Sequence, residues 1–142
     1  MWVYCDTSAM AKRYVRELGR AALMNLLARR RVVSSVLMPA ELRSAFSRRV
    51  REGALPAIAL PRLFERVATD RNHWTLVETT KEVFDDAEAL IEAHPLRTLD
   101  ALHVASARVF QRRLRVPVLF VSADARQLSA AAREGLATQS LT

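Results

Sequence analysis

Four short runs rich in β-branched and aromatic residues punctuate this chain: Trp2–Cys5, Val32–Ser35, His73–Val77 and Val118–Val121. Helix-forming segments fill every gap between them, and no two runs are joined by an Asn-Gly or similar hairpin turn. Strands that cannot turn back on their neighbours must return to the sheet through helices, which makes the sheet parallel and covers both its faces. The expected fold class is α/β: an α/β/α sandwich around a central, mostly parallel sheet of four to five strands. A length of 142 residues suits one domain, 1–142, and no linker, repeat or low-complexity stretch divides it.

Periodicity predicts the helices. Thr7–Glu17 follows the first strand, and Ala21–Arg30 places Ala22, Leu23, Leu26 and Leu27 on one stripe. Pro39 opens a helix with Leu42, Ala45, Phe46 and Val50 inward and Arg43, Arg48, Arg49 and Arg51 outward. Pro56–Asp70 carries Leu60, Leu63, Phe64 and Val67 at helical spacing. Thr79 and Thr80 cap a helix with Val83, Ala87, Leu90 and Ile91 inward and Glu82, Asp85, Asp86, Glu88 and Glu92 toward water. Leu99–Leu114 has small apolar residues on several faces, so it is expected to be packed all round, and Asp124–Glu134 is the last helix.

Several function classes fall away. The only glycines are Gly19, Gly53 and Gly135, so neither a G-x-G-x-x-G turn nor a Walker A loop exists. A lone Cys5 forms no internal disulfide and builds no zinc site by itself. Apolar runs such as Val116–Val121 are far short of the roughly 18 residues that a bilayer span needs. Met1–Asp6 has no basic region before a long apolar one, so the expected location is the cytoplasm. The net charge of +7 is uneven: residues 11–52 hold eleven Lys or Arg against three Glu, a local +8. Such a concentration suits a polyanion, since phosphate contacts supply most non-specific nucleic-acid affinity.

Four acids stand apart from the solvated helix faces. Asp6 ends the first strand, Glu41 lies in the first turn after Pro39, Asp100 opens the Leu99 helix, and Asp124 follows the Val118 strand. Each taken alone is a helix cap, contributing about 0.3–1 kcal/mol through the helix dipole. Glu41 and Asp100, however, lie in apolar stretches, PAEL and TLDALHVA, where an ionised group needs a strong partner. A hard divalent cation, Mg²⁺ or Mn²⁺, is that partner for carboxylate oxygens. Carboxylates, a hydrated cation and a basic surface together are equipment for phosphodiester hydrolysis.

The segments Tyr4-Cys5-Asp6-Thr7-Ser8-Ala9, Pro39-Ala40-Glu41-Leu42, Leu96 to Ala105 and Phe120-Val121-Ser122-Ala123-Asp124 resemble the signature segments of PIN-domain ribonucleases, in the order found in VapC-type toxins of type II toxin–antitoxin pairs. The resemblance spans nearly the whole chain. It implies a PIN-like fold and a Mg²⁺- or Mn²⁺-dependent endoribonuclease with Asp6, Glu41, Asp100 and Asp124 as its catalytic and metal-site acids. Ser8 and Ser122 match supporting hydroxyl positions, Ser122 standing where Thr is frequent. The resemblance further implies an RNA substrate, a small VapB-type antitoxin and a homodimer. His103 reads as a packed residue behind the site, and His73 and His94 as ordinary. Leu23, Met24, Leu26 and Leu27 read either as core or as a face for a partner helix. Two other functions remain open: a non-catalytic RNA- or protein-binding domain whose acids only cap helices, and a phosphohydrolase with an Asp nucleophile. The second normally has another acid two residues on, where this chain has Ser8.

Overall fold

In the computed structural model, which describes residues 1–142, five strands form one sheet and every neighbouring pair is parallel. They are β1 (Trp2–Cys5), β2 (Arg31–Ser35), β3 (Trp74–Val77), β4 (Val118–Ser122) and β5 (Ala137–Ser140), in spatial order β3-β2-β1-β4-β5. The connections are helical: α1 (Thr7–Ala11), α2 (Arg20–Leu27), α3 (Met38–Arg51), α4 (Ala59–Asp70), α5 (Lys81–Ala93), α6 (Thr98–Leu114) and α7 (Ala125–Arg133). The chain walks outward from β1 to β3, then returns through α5 and α6 to lay β4 on the free side of β1. Strand order therefore reverses between β1 and β4, and the crevice beyond the carboxyl ends of such a pair is where open parallel sheets bind ligands.

The pleat sorts side chains into two cores. Val3 and Cys5 pack with Met10, Leu23, Leu42 and Phe46 beneath α1–α4, while Tyr4 joins Val33, Val83, Leu90, Val104 and Phe120 beneath α5–α7. On α6 every residue from Ala101 to Ala107 is buried, as its small residues on several faces predict. No helix is long and apolar enough to cross a membrane.

The departures from expectation have local causes. Strand β5 reads Ala-Thr-Gln-Ser, carries no apolar run, and is recognisable only through its pairing with β4 (Leu119 opposite Ala137, Ser122 opposite Ser140). Helix α1 stops at Ala11, not Glu17, because tertiary bonds capture the next turn: Arg20 Nη1 donates to the Arg13 carbonyl at 2.6 Å, and Asp70 accepts from Arg13 Nε at 2.8 Å and Tyr14 Oη at 2.7 Å. Helix α2 ends at Leu27, not Arg30, and α4 begins at Ala59, not Pro56, where a turn bond from Ala59 N to the Pro56 carbonyl precedes the helix. Leu23 and Leu26 are core residues and Ala22 is exposed, so α2 offers no apolar face built on those leucines. Ile91 is exposed, and Glu82 and Asp86 do not simply face water: they pair with Arg112, Arg113 and Arg108 of α6. Those pairs neutralise charge between α5 and α6 and leave the basic stretch around α1–α3 as the molecule's positive side.

The Asp70 tie carries a pH signature. Burial alone would raise the Asp70 carboxyl, but hydrogen bonds from Arg13 and Tyr14 outweigh it and hold the group below its ordinary range. With the folded value below the unfolded one, the stabilisation is complete at neutral pH and is lost as pH falls through the folded value. Asp70→Asn is therefore expected to cost about 1 kcal/mol at pH 7, a figure discounted for partial exposure. Urea titrations at pH 7 and below about pH 4 check this: the gap to wild type narrows in acid, and a constant gap would assign the loss to packing.

Candidate functional site

Beyond the carboxyl ends of β1 and β4 lies a cleft of about 480 Å³ lined by Asp6, Ser8, Glu41, Asp100 and Asp124. Ser122 stands behind it, its hydroxyl bonded to Asp6. Four acids from distant parts of the sequence thus share one cleft. Local structure delivers each of them. Asp6 is the residue at which β1 gives way to α1, and its Oδ1 caps the helix through Ala9 N at 2.8 Å. Glu41 sits in the first turn of α3, two residues after Pro39. Asp100 is the third residue of α6, where its Oδ2 accepts from Arg97 N at 3.3 Å. Asp124 is the N-cap of α7, accepting from Arg126 N at 2.8 Å and Gln127 N at 3.4 Å. Capping and convergence are therefore the same fact seen twice, because helix N-termini gather at this edge of a parallel sheet.

Asp6 is the buried centre of the group. Its Oδ2 accepts from Ser8 Oγ and Ser122 Oγ, each at 2.8 Å, and Oδ1 from Ser8 Oγ at 2.9 Å. Burial pushes this carboxyl up, opposed in part by the hydrogen bonds from Ala9 N, Ser122 and Ser8. No Lys or Arg side chain pairs with it. A buried carboxylate held only by hydroxyls and an amide fits a divalent cation as its missing partner. The donor set is all oxygen and lacks the thiols and imidazole cluster that zinc would want. As they stand, no three of the His, Cys, Asp or Glu side chains form a group able to hold a metal ion. Each acid is instead engaged by its own hydrogen bonds.

Two residues that hold acids of this cleft in place, His103 and Gln127, are not among the site residues expected from the sequence. His103, buried on α6, places Nε2 2.7 Å from Glu41 Oε1 and 3.3 Å from Thr7 Oγ1, while Nδ1 lies 2.8 Å from Tyr4 Oη. Its spacing of three from Asp100 puts both on one face of the helix, and that spacing is the signal that marks it. Gln127, also buried, donates from Nε2 to Asp100 Oδ1 at 3.0 Å. Its signal is the Asp124-x-x-Gln127 spacing of a helix start. His73 is exposed, and His94 pairs with Glu134 at 2.9 Å, away from the cleft.

A second concavity, between α3 and α4, is apolar: Pro39, Leu42, Phe46, Phe64 and Val67 line it, with Arg43 and Arg71 at its rim. This groove, not α2, is the apolar surface on the basic side.

Residues 3–134 match the family model of the PIN domain. No match emerges among curated proteins. Among solved structures the chain is similar to FitAcB from Neisseria gonorrhoeae (15% identity, 96% of this chain and 95% of that one, TM-score 0.71). It is also similar to VapBC-1 from nontypeable Haemophilus influenzae (12% identity, 99% and 98%, TM-score 0.65) and to VapBC-5, a toxin-antitoxin system from Mycobacterium tuberculosis (17% identity, 99% and 97%, TM-score 0.58). At these identities the likeness is one of fold.

Proposed function

Because this chain belongs to the PIN-domain family, we propose that it is a one-domain endoribonuclease dependent on Mg²⁺ or Mn²⁺, and the toxin of a VapBC-type pair. The observation that carries this reading is the convergence of Asp6, Glu41, Asp100 and Asp124 on one cleft whose other wall is basic. These four residues would hold the cation, which when bound supplies Lewis-acid chemistry toward a phosphodiester. The chain's own part is positioning. Ser8 and Ser122 fix the Asp6 carboxylate, His103 fixes Glu41, and Gln127 fixes Asp100. RNA is the substrate class, drawn in by the positive side around α1–α3. A small VapB-type antitoxin is the partner, in keeping with the similar VapBC toxin-antitoxin structures, and the apolar groove between α3 and α4 suits a partner's apolar side chains. The working form is a homodimer in the cytoplasm.

Helix capping, the basis of the non-catalytic alternative, explains Asp6, Asp100 and Asp124 singly. It leaves Glu41 unexplained, since Glu41 caps nothing and is held by a buried histidine. An Asp-nucleophile mechanism fares worse: both Asp6 oxygens already accept hydrogen bonds, and Ser8 occupies the place of the second acid.

The test is cleavage of single-stranded and structured RNA by purified protein with Mn²⁺, with Mg²⁺ and with EDTA, beside expression in bacteria with and without the product of any small adjacent gene. Cation-dependent cleavage and growth arrest relieved by co-expression are expected. Abundant folded protein that cuts no RNA with either ion and leaves growth unimpaired would reject the reading.

A further inference from the structure

The carboxylates account for only part of the cleft. The same cleft is lined by Lys12, the residue that ends α1, and by Arg48 and Arg49 of α3. The Lys12 side chain is only 10% exposed, yet its one acidic partner, Glu17 Oε1, stands 3.7 Å from Nζ, beyond hydrogen-bond length. The other oxygen of that carboxylate, Oε2, accepts from Arg49 Nη2 at 3.2 Å. One carboxylate thus lies between two cations beside an acidic cleft, presenting two oxygens as a phosphodiester presents its two non-bridging ones. A largely buried ammonium is normally matched by an anion at hydrogen-bond distance, and here it is half matched.

The segment that carries Lys12 and Glu17 is held in place. Arg20 binds the Arg13 carbonyl, and Gly19, at φ +91°, packs its α-carbon against the C-terminal strand's extension, where a Cβ would fall 2.1 Å from the Leu141 carbonyl oxygen. Only glycine allows this approach. The position of Lys12 and Glu17 over the cleft is therefore built into the fold.

We propose that Lys12 and Arg49, with Arg48 beside them, form a subsite for a backbone phosphate of the bound strand, flanking the bond at the carboxylates, and that Glu17 occupies this subsite until the strand displaces it. The proposal rests on the ribonuclease reading and adds to it where the polyanion is gripped. A cluster of four acids repels a phosphate, so a strand needs a cationic anchor in the same cleft. Lys and Arg are the side chains that phosphate oxygens take as donors.

The test uses the full chain and a fluorescent 12-nucleotide single-stranded RNA, with anisotropy in EDTA and steady-state cleavage in Mn²⁺. Lys12→Met and Arg49→Gln are expected to raise KM about tenfold, leave kcat within about twofold, and reduce the slope of log K against log salt by about 0.7. Glu17→Gln is expected to lower KM severalfold, a gain that a merely structural carboxylate would not give. Should Lys12→Met fail to fold, the partly exposed Arg49 and Glu17 carry the same test. RNA cleavage with KM and salt slope unaltered in Arg49→Gln and Glu17→Gln would overturn the subsite while leaving the ribonuclease reading intact. Binding of a polyglutamate peptide that depends on Lys12 and Arg49, with RNA binding that does not, would also overturn it in favour of an acidic protein segment. RNA binding that depends on these residues in a wild-type protein without cleavage would support the subsite and remove the ribonuclease.

Discussion

Asp6→Asn is expected to lower cation-dependent RNA cleavage by about a thousandfold or more and, without metal, to give a protein that melts above the wild type. The two effects have one cause. Asp6 is buried with no cationic partner, so its ionised form carries a desolvation cost that the hydroxyls of Ser8 and Ser122 offset only in part. Asparagine keeps the shape and an oxygen for Ala9 N while removing the charge. The folded value of Asp6 lies above the unfolded one, so the cost of the wild-type carboxylate appears as pH rises through that folded value. The stability gap in favour of Asp6→Asn therefore widens from acid toward neutral pH. Mn²⁺ reverses the order, because a ligand that binds only the folded state stabilises by mass action, by about 2.7 kcal/mol at a hundred times its Kd. Wild type gains several degrees on adding Mn²⁺ and Asp6→Asn gains none. Thermal melts with EDTA and with Mn²⁺, beside cleavage rates, decide the matter. Cleavage at the parental rate in Asp6→Asn would remove Asp6 from the site.

The sheet and the cleft's acids were readable for the same physical reason. A buried parallel strand needs a continuous apolar run, and Trp2–Cys5 and Val118–Val121 each announce where they end by the polar residues that follow. In a parallel sheet all the carboxyl ends lie at one edge, so the sequence places Asp6 and Asp124 there, whereas the adjacency of β1 and β4 at the switch point is visible only in the fold. Strand β5 was illegible because an edge strand with half-exposed Thr138 and Gln139 has no apolar face to betray it. The early end of α1 was illegible because its cause lies far along the chain: Asp70, at the end of α4, holds Arg13 and Tyr14. Local propensity for helix across Thr7–Glu17 is real and is overridden by tertiary bonds. That override matters for function, since it turns Lys12 and Glu17 out of a helix and over the cleft. Hydrogen bonds between side chains are the least legible feature of all. Nothing in TLDALHVA says that His103 reaches Glu41, although its helical phase with Asp100 places it on the same face.

His103→Ala is expected to weaken Mn²⁺ binding and cleavage by about 10- to 100-fold, the usual cost of removing a residue that orients a metal-site group. The hydrogen-bond roles follow from chemistry. Ionised Glu41 only accepts, so Nε2 of His103 carries the proton and donates to it, and Nδ1 accepts from the hydroxyl of Tyr4. Burial pushes the Tyr4 hydroxyl well up, which keeps it a donor. Tyr4 thus selects the tautomer, and the tautomer holds Glu41. Loss of the ring frees Glu41 to rotate into solvent and leaves the Tyr4 hydroxyl buried without its partner, so stability falls as well. Stability alone does not identify the role, and two conservative variants do. His103→Gln restores an N–H toward Glu41 and is expected to recover most of the Mn²⁺ affinity measured by calorimetry, which a glutamine could not do for a proton-transferring base. Tyr4→Phe keeps the ring of His103 packed but removes the choice of tautomer, giving a smaller loss of about tenfold. Wild-type Mn²⁺ affinity and cleavage in a folded but less stable His103→Ala would reduce the histidine to packing. Equal losses in His103→Ala and His103→Gln, with Mn²⁺ affinity untouched in both, would instead make it a participant in proton transfer.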